Sequence, residues 1–269
     1  MNTQLPPPQE IATHYNSLMK DLGGDYIHSR WGDSEIKRRH YRHTEDALRK
    51  ALARIPSVGN VLEIGCGPAV WTPLFLGAAT GATLLDISEE MLRKARARLE
   101  DWEGGRHADK VRYRCGDFIE AEVPGAPFDT IVSSRAFEYM SDKPAFVQKC
   151  FDLLRPGGTL VLVTKNRDWR DLRKTKRDLR GVPRERIPVG VAMQLDLASW
   201  GETSAMFGAA GFRGVEAYPV IFGSYMRPFV WPGGLAVGDA LQRMFAGSPI
   251  SRAIDPVVES YLMVGRKPA

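Results

Sequence analysis

Cysteine is scarce in this chain: Cys66, Cys115 and Cys150 stand far apart, with no CxxC pair and no histidine near them at metal-ligand spacing. That argues against a disulfide framework and a structural zinc site, so no metal is expected and buried free thiols are. Long apolar runs are missing too; none approaches the roughly 18 residues that a membrane span needs. The opening residues, MNTQLPPPQE, lack the basic start and apolar centre of a secretory leader, so a cytoplasmic protein without a transmembrane segment is expected. There is also no large excess of either charge. The 37 Lys and Arg against 32 Asp and Glu leave a net charge of +5, which by itself does not point to nucleic acid.

What is present is an ordinary globular composition, 43% apolar and 26% charged, over 269 residues, enough for one domain with a substantial core. Strand-like runs, NVLEIG, ATLLDIS, VRYRCGD, FDTIVSS and GTLVLVT, alternate with amphipathic segments such as EEMLRKARARLEDW and KPAFVQKCFDLL. Such alternation predicts right-handed crossovers and a parallel sheet covered on both faces. A single domain, 1–269, is expected. Its parts are an N-terminal helical cap (1–55), a core (56–165), a basic insertion (166–195), and a C-terminal helix with a strand pair (196–269) carrying an apolar insertion at 226–256.

In an open parallel sheet, ligands bind at the carboxyl ends of the strands. The stretch VLEIGCGPAVWT places Gly65 and Gly67 at the end of the first strand, where glycine permits a tight turn and a close backbone approach. Asp86 ends the second strand, where a carboxylate can accept both hydroxyls of a ribose. Asp117 follows the third, beside Phe118, whose ring can lie against a purine. A dinucleotide fingerprint fails here, because its third glycine position is Val70. Glu63, just before the glycines, would repel a pyrophosphate but not a cofactor bearing an ammonium and a sulfonium. The electrostatics favour S-adenosylmethionine over a nicotinamide dinucleotide.

In this order and spacing, VLEIGCGPAVWT, LLDIS, CGDF, FDTIVSSRAFEYM and LLRPGGTLVLVT resemble the successive motifs of class I S-adenosylmethionine-dependent methyltransferases, over roughly residues 58–165. The resemblance implies an α/β, Rossmann-like fold: seven mostly parallel strands, helices on both faces and a final antiparallel pair, GVEAYPVIFGS with SYLMVGRK. It implies that Glu63, Gly65, Cys66 and Gly67 form the methionine and ribose side. Asp86 takes the ribose hydroxyls, Ile87 packs on adenine, Asp117 bonds the adenine amino group with Phe118 beside it, and Ser133 and Arg135 lie near the methionine end. Ala69 stands where the family usually has a third glycine, which implies a slightly tighter pocket. HYNSLMKDLGGDYIHSRWG resembles the cap segment of small-molecule methyltransferases, with Tyr15, Tyr26, Arg30 and Trp31 as the residues that close over the cofactor.

A hydroxyl acceptor usually needs a base, whereas an amine needs only its lone pair. The candidate catalytic residues are His40 and His43, three apart on one helix face, and Glu138 and Tyr139 after the fourth strand; His14 and His28 are further histidines of the cap. His40 and His43 read equally as members of a solvated face. SSRAFEYM lacks the Asn/Asp-Pro-Pro-aromatic motif of nucleic-acid base methylators, which argues against DNA.

From Lys165 to Arg186 there are ten basic and four acidic residues, a surplus of six against +5 for the whole chain. This is either a solvated helix with pairs such as Arg167/Asp171 and Lys174/Asp178, with Trp169, Leu172 and Leu179 turned inward, or a lid attracting an anionic acceptor or membrane surface. The apolar insertion, with Phe229, Trp231, Leu235, Leu241, Met244 and Phe245, suits an acceptor pocket, a dimer contact or core. The expected function is methyl transfer from S-adenosylmethionine to an O or N atom of a small acceptor, acidic or amphiphilic. The alternatives are RNA methylation, which no appended RNA-binding module supports, and a non-catalytic cofactor-binding subunit.

Overall fold

The computed structural model describes residues 5–21, 26–183, 186–193, 195–222, 236–237, 239–240, 244 and 255–269. Its centre is a seven-stranded sheet in the order β3-β2-β1-β4-β5-β7-β6. The strands are β1 (Asn60–Ile64), β2 (Gly81–Asp86), β3 (Val111–Cys115), β4 (Phe128–Ser134), β5 (Leu154–Lys165), β6 (Arg213–Phe222) and β7 (Val258–Arg266). The first five pair in parallel, and β7 runs antiparallel to both β5 and β6. This is the class I fold that the motifs imply.

The two-residue period of a strand sends alternate side chains to opposite faces, and each face has its own core. Val61, Leu84, Val132, Val161 and Val163 pack on one side, with Leu48, Phe75, Leu92 and Leu99 from helices. Leu62, Ile64, Leu85, Ile131, Leu160 and Leu162 pack on the other, with Phe146, Val147 and Phe207. Strands buried on both faces read as continuous apolar runs; β3, at the sheet edge, instead alternates and leaves Arg112 and Arg114 exposed.

Helices α1 (Pro8–Asp21), α2 (Glu35–Ala53), α3 (Pro73–Leu76), α4 (Glu89–Asp101), α5 (Lys143–Leu153), α6 (Arg170–Asp178), α7 (Val189–Ala192) and α8 (Trp200–Ala210) cover the sheet and its ends. Several begin on a side-chain cap: Ser34 accepts from Lys37 N, Ser88 from Met91 N, and Asp142 from Ala145 N. Ser199 and Glu202 form a reciprocal capping box, so α8 starts at 200, later than its apolar pattern suggests. β5 likewise starts before GTLVLVT, because Leu154 pairs with Phe128 ahead of an irregularity.

The basic insertion contains the short α6 and α7. Trp169 and Leu172 are buried against Leu197, and Leu179 packs beside Ile187 and Leu195, so the apolar side of the segment does turn inward. Arg167 pairs with Glu202 of α8. The side chains of Asp171 and Lys174 lie outside the described residues, as do Phe229, Trp231, Leu235, Leu241 and Phe245. Met244 is described and 68% exposed, which places it outside the core. Cys66 and Cys150 are buried free thiols, and Cys115 is a half-buried one. Among the described residues, no helix is long and apolar enough to cross a membrane.

Candidate cofactor and acceptor site

The chain leaves β1 for β2 on one side of the sheet and later enters β4 on the other. The crevice at that switch point is where such sheets bind ligands. Here it is a cleft of about 820 Å³, part of it open to solvent. Gly65 and Gly67 have φ of +68° and +52°. They are needed for different reasons. A Cβ on Gly65 would stand 2.2 Å from the Cβ of Ala136, whereas one on Gly67 meets nothing within 4 Å. What crowds the first glycine is the protein's own β4 loop; beside the second there is open space.

Asp86 fixes this turn. Its Oδ2 accepts from Gly67 N at 2.8 Å and its Oδ1 from Ser88 N at 3.0 Å. Burial raises its pKa, against the pull of those two amides. A carboxylate offers about four lone-pair sites, so acceptor capacity for ribose hydroxyls remains. Ile87, Asp117 and Phe118 continue the wall, with Gly116 and Met91. Asp117 Oδ1 accepts from Ile119 N, and the Phe118 ring meets Phe146 edge-on, so both are held in place.

The cap closes the other side. Pro6, just before α1, and Pro8, Ile11 and Tyr15 of α1 line the cleft, and Ser88 Oγ donates to Asn16 Oδ1 at 2.6 Å, tying the helix to the loop after β2. Tyr26, Arg135 and Tyr139 complete the rim. Tyr15 meets Tyr139 edge-on, with ring centroids 6.0 Å apart. Burial drives Tyr15 well above its usual range and Tyr139 up to about 12, so both phenols stay protonated near neutrality. Arg30 bonds Tyr26; burial opposes its charge, but Tyr26, Tyr139 and Glu138 outweigh that and raise its pKa.

Several residues named from the sequence lie elsewhere. Glu63 is beneath the cleft: its Oε2 accepts from Thr72 Oγ1 at 2.6 Å, and burial pushes its pKa up to about 8. Burial therefore favours its protonated form, and Glu63 is not among the residues that line the cleft. Cys66 is buried under the turn, its thiol raised well above the usual range by burial. Ser133 is buried and donates to Ile64 O at 3.2 Å. Trp31 packs edge-on against Trp71 and Tyr41 in the core, not on the cleft. Ala69 is also in the core, at φ +56°, so the missing glycine shows up as backbone strain and not as a tighter pocket.

The four candidate bases separate. Tyr139 is on the rim, and Glu138 is buried directly behind it. His40 and His43 are outside the cleft wall. Burial, joined by nearby cations, holds His40 down at about 4, with Glu259 Oε2 3.7 Å from its Nε2. His43 Nε2 is 3.0 Å from Asp239 Oδ1, and burial lowers its pKa too. His14 lies beside Gly190 of α7, and His28 is exposed. The sequence reading missed Pro6, Pro8, Ile11, Asn16, Met91 and Met140. The only signal for them was their position in the cap and after the strands.

A model of the methyltransferase domain matches residues 35–202. The chain is 28% identical over 165 residues to the ubiquinone biosynthesis O-methyltransferase of Xanthomonas campestris pv. campestris (strain B100), covering 60% of this chain and 66% of that protein. It spans about two fifths to two thirds of the length of the curated relatives it matches. Its fold is similar to that of the N-methyltransferase NodS from Bradyrhizobium japonicum WM9, solved with S-adenosyl-L-homocysteine (TM-score 0.59, 17% identity, 95% of this chain and 99% of that one). It is also similar to a chain of the Haloferax volcanii complex between the Trm112 methyltransferase activator and a methyltransferase (TM-score 0.60, 19% identity, 91% and 98%). The family model covers more than half of the sequence, and the chain belongs to the methyltransferase-domain family, as a class I S-adenosylmethionine-dependent methyltransferase.

Proposed function

We propose that this protein transfers a methyl group to an oxygen or nitrogen atom of a small-molecule acceptor by in-line displacement. The observation that carries the reading is the capped cleft, with Asp86 and Gly67 on one wall and Tyr15, Tyr26, Arg135 and Tyr139 on the rim. When bound, S-adenosylmethionine supplies a methyl carbon already activated by its sulfonium. The protein's task is then to hold a nucleophile about 3–3.5 Å away and in line. Asp86, Ile87, Asp117 and Phe118 hold the nucleoside in this reading, and Gly65, Gly67 and Arg135 the amino-acid end. Glu63, Cys66 and Ser133 support the turn from below.

Tyr15, Tyr26 and Tyr139, with Arg30, exclude water at the rim and present protonated hydroxyls. Glu138 is the candidate base for a hydroxyl acceptor. The capped cleft suits a small acceptor, and the O-methyltransferase and N-methyltransferase names of the relatives support that class. The 166–195 insertion acts as a lid in this reading, through the packing of α7 on α1. A partner-dependent enzyme is a second reading, favoured by the neighbour solved with its activator.

Isothermal titration with S-adenosylmethionine, then mass spectrometry of a metabolite extract incubated with isotopically labelled cofactor, tests the proposal. The expected result is saturable binding and one labelled small product. Binding without any labelled product would overturn it, unless an added activator restores transfer, which would favour the second reading.

A further inference from the structure

Lys143 is a buried cation outside the cleft wall. It stands at the first position of α5, just after the N-cap Asp142, where a positive charge meets the positive end of the helix dipole. Helix stability therefore does not call for it. Its side chain folds back instead, leaving the residue 7% exposed, with Nζ 5.9 Å from the centroid of the Phe137 ring. Nζ donates to Met140 O at 3.0 Å and to Asp196 Oδ2 at 2.8 Å. One ammonium joins the chain that follows β4 to a residue 53 positions further on.

Both ends of that bridge matter to the cleft. Met140 lines it. Asp196 lies at the foot of the basic insertion, between Leu195 and Leu197. Leu197 is buried with Trp169 and Leu172, and Leu195 with Ile187 and Ala192. The apolar side chains of the insertion thus gather into two small clusters, apart from the two cores of the sheet. Each cluster rests on a neighbour of Asp196. The insertion also reaches the cap, where α7 packs on α1, the helix that brings Ile11 and Tyr15 to the cleft. A further tie, Arg167 with Glu202 of α8, is exposed at both ends, and such pairs contribute little. A small body with so little buried apolar surface opens more readily than the sheet beneath it.

We propose that Lys143 is a positioning residue that locks the basic insertion onto the rim of the cleft. Its ammonium holds the foot of the insertion at Asp196 and the rim at Met140, and release of that tie opens the entrance. The inference rests on reading the cleft as the cofactor site and the insertion as its lid. It gives the lid a specific fastening, one that the local charge pattern of the basic stretch does not contain.

Hydrogen exchange read by mass spectrometry compares the full-length protein with three variants. Lys143→Met keeps the apolar stem, Lys143→Arg keeps the charge, and Asp196→Ala removes the half-exposed end of the tie while Lys143 stays on Met140 O. In Lys143→Met and Asp196→Ala, amides of 166–197 should exchange about tenfold faster, the loss of one charged hydrogen bond, while amides of β1, β4 and β5 keep the parent's rates. Lys143→Arg should retain part of the protection. The double variant should exchange no faster than the more affected single one, because both changes remove the same bond. Stopped-flow binding of S-adenosylhomocysteine supplies a readout that a merely structural residue would not move. Association and dissociation should both quicken, with the dissociation constant nearly unchanged, as for a gate. Should Lys143→Met fail to fold, Asp196→Ala decides on both readouts. Unchanged exchange of the insertion, faster exchange throughout the sheet, or unchanged binding rates overturns the inference. If the parent binds no S-adenosylhomocysteine, the cofactor reading falls, and exchange of the insertion then decides on the tie alone.

Discussion

The carboxylate of Asp86 accepts from the backbone amide of Gly67 at 2.8 Å, so the acid that ends β2 holds the glycine turn that ends β1. One side chain therefore sets the shape of the turn and lines the cleft beside it. Asp86 is also 8% exposed, so it is not the solvent-lined strand end that its place in the sequence suggests.

Asp86→Ala should lower S-adenosylmethionine affinity by about 2 kcal/mol or more, and stability by about 1–3 kcal/mol, because two backbone amides lose their acceptor. Asp86→Asn, which keeps one accepting oxygen, should lose less of both. Calorimetry and urea denaturation on the same preparations check this. An alanine variant as stable as the parent would show that the Gly67 and Ser88 bonds contribute nothing.

The two glycines should fail in opposite ways. Gly65→Ala puts a Cβ 2.2 Å from that of Ala136 in a left-handed backbone, a clash added to strain. A loss of about 3 kcal/mol or more is expected. Gly67→Ala carries only the strain, about 1–2 kcal/mol, since its Cβ meets no atom within 4 Å. That Cβ enters the space beside the cleft, so the larger effect of Gly67→Ala should fall on cofactor affinity. Equal stability losses would contradict the contrast.

All seven strands were legible because buried parallel strands read as apolar runs and the edge strands still alternate. The cleft wall was legible because its residues sit at strand ends: Gly65, Gly67, Asp86, Asp117 and Arg135 all line the cleft. Depth was not legible. Glu63 lies between Leu62 and Ile64, and nothing local says whether it points into the cleft or beneath it; Thr72, nine residues on, captures it. Arg39 and His43 look like a polar helix face, yet their shared partner is Asp239, about two hundred positions later. Charge patterning reports local periodicity, whereas burial of a charge is decided by the chain that returns to cover it.

If the acceptor is a hydroxyl, Glu138→Gln should lower kcat by roughly 10²–10⁴ with little change in cofactor affinity. The amide oxygen can still accept from Lys165 N, so the fold should hold. Tyr139→Phe should cost far less, because a phenol pushed up to about 12 is a donor near neutrality, not a base. His43→Ala should leave single-turnover rates close to the parent's. Uniformly small effects across these variants would indicate an amine acceptor, for which positioning alone suffices.

The pH dependence of folding provides a test of Glu63. Its pKa rises from an ordinary 4.5 to about 8 because burial penalises the charge more than the Thr72 bond favours it, with Asp86 adding to the rise. Between those values the folded protein keeps a proton that the unfolded chain has released. Stability of the cofactor-free protein should therefore fall as pH rises through that window, by up to about 1.4 kcal/mol per pH unit, and level off above it. Asp86, also raised, adds a slope of the same sign. Glu63→Gln removes the titration, while its amide oxygen can still accept from Thr72. The variant should match the parent near pH 5 and exceed it by a few kcal/mol near pH 8.5. Urea denaturation of both proteins at the two pH values measures the difference. Parallel stability curves would mean that Glu63 is ionised in the folded protein, and the carboxylate would then return as a source of negative potential beneath the cofactor.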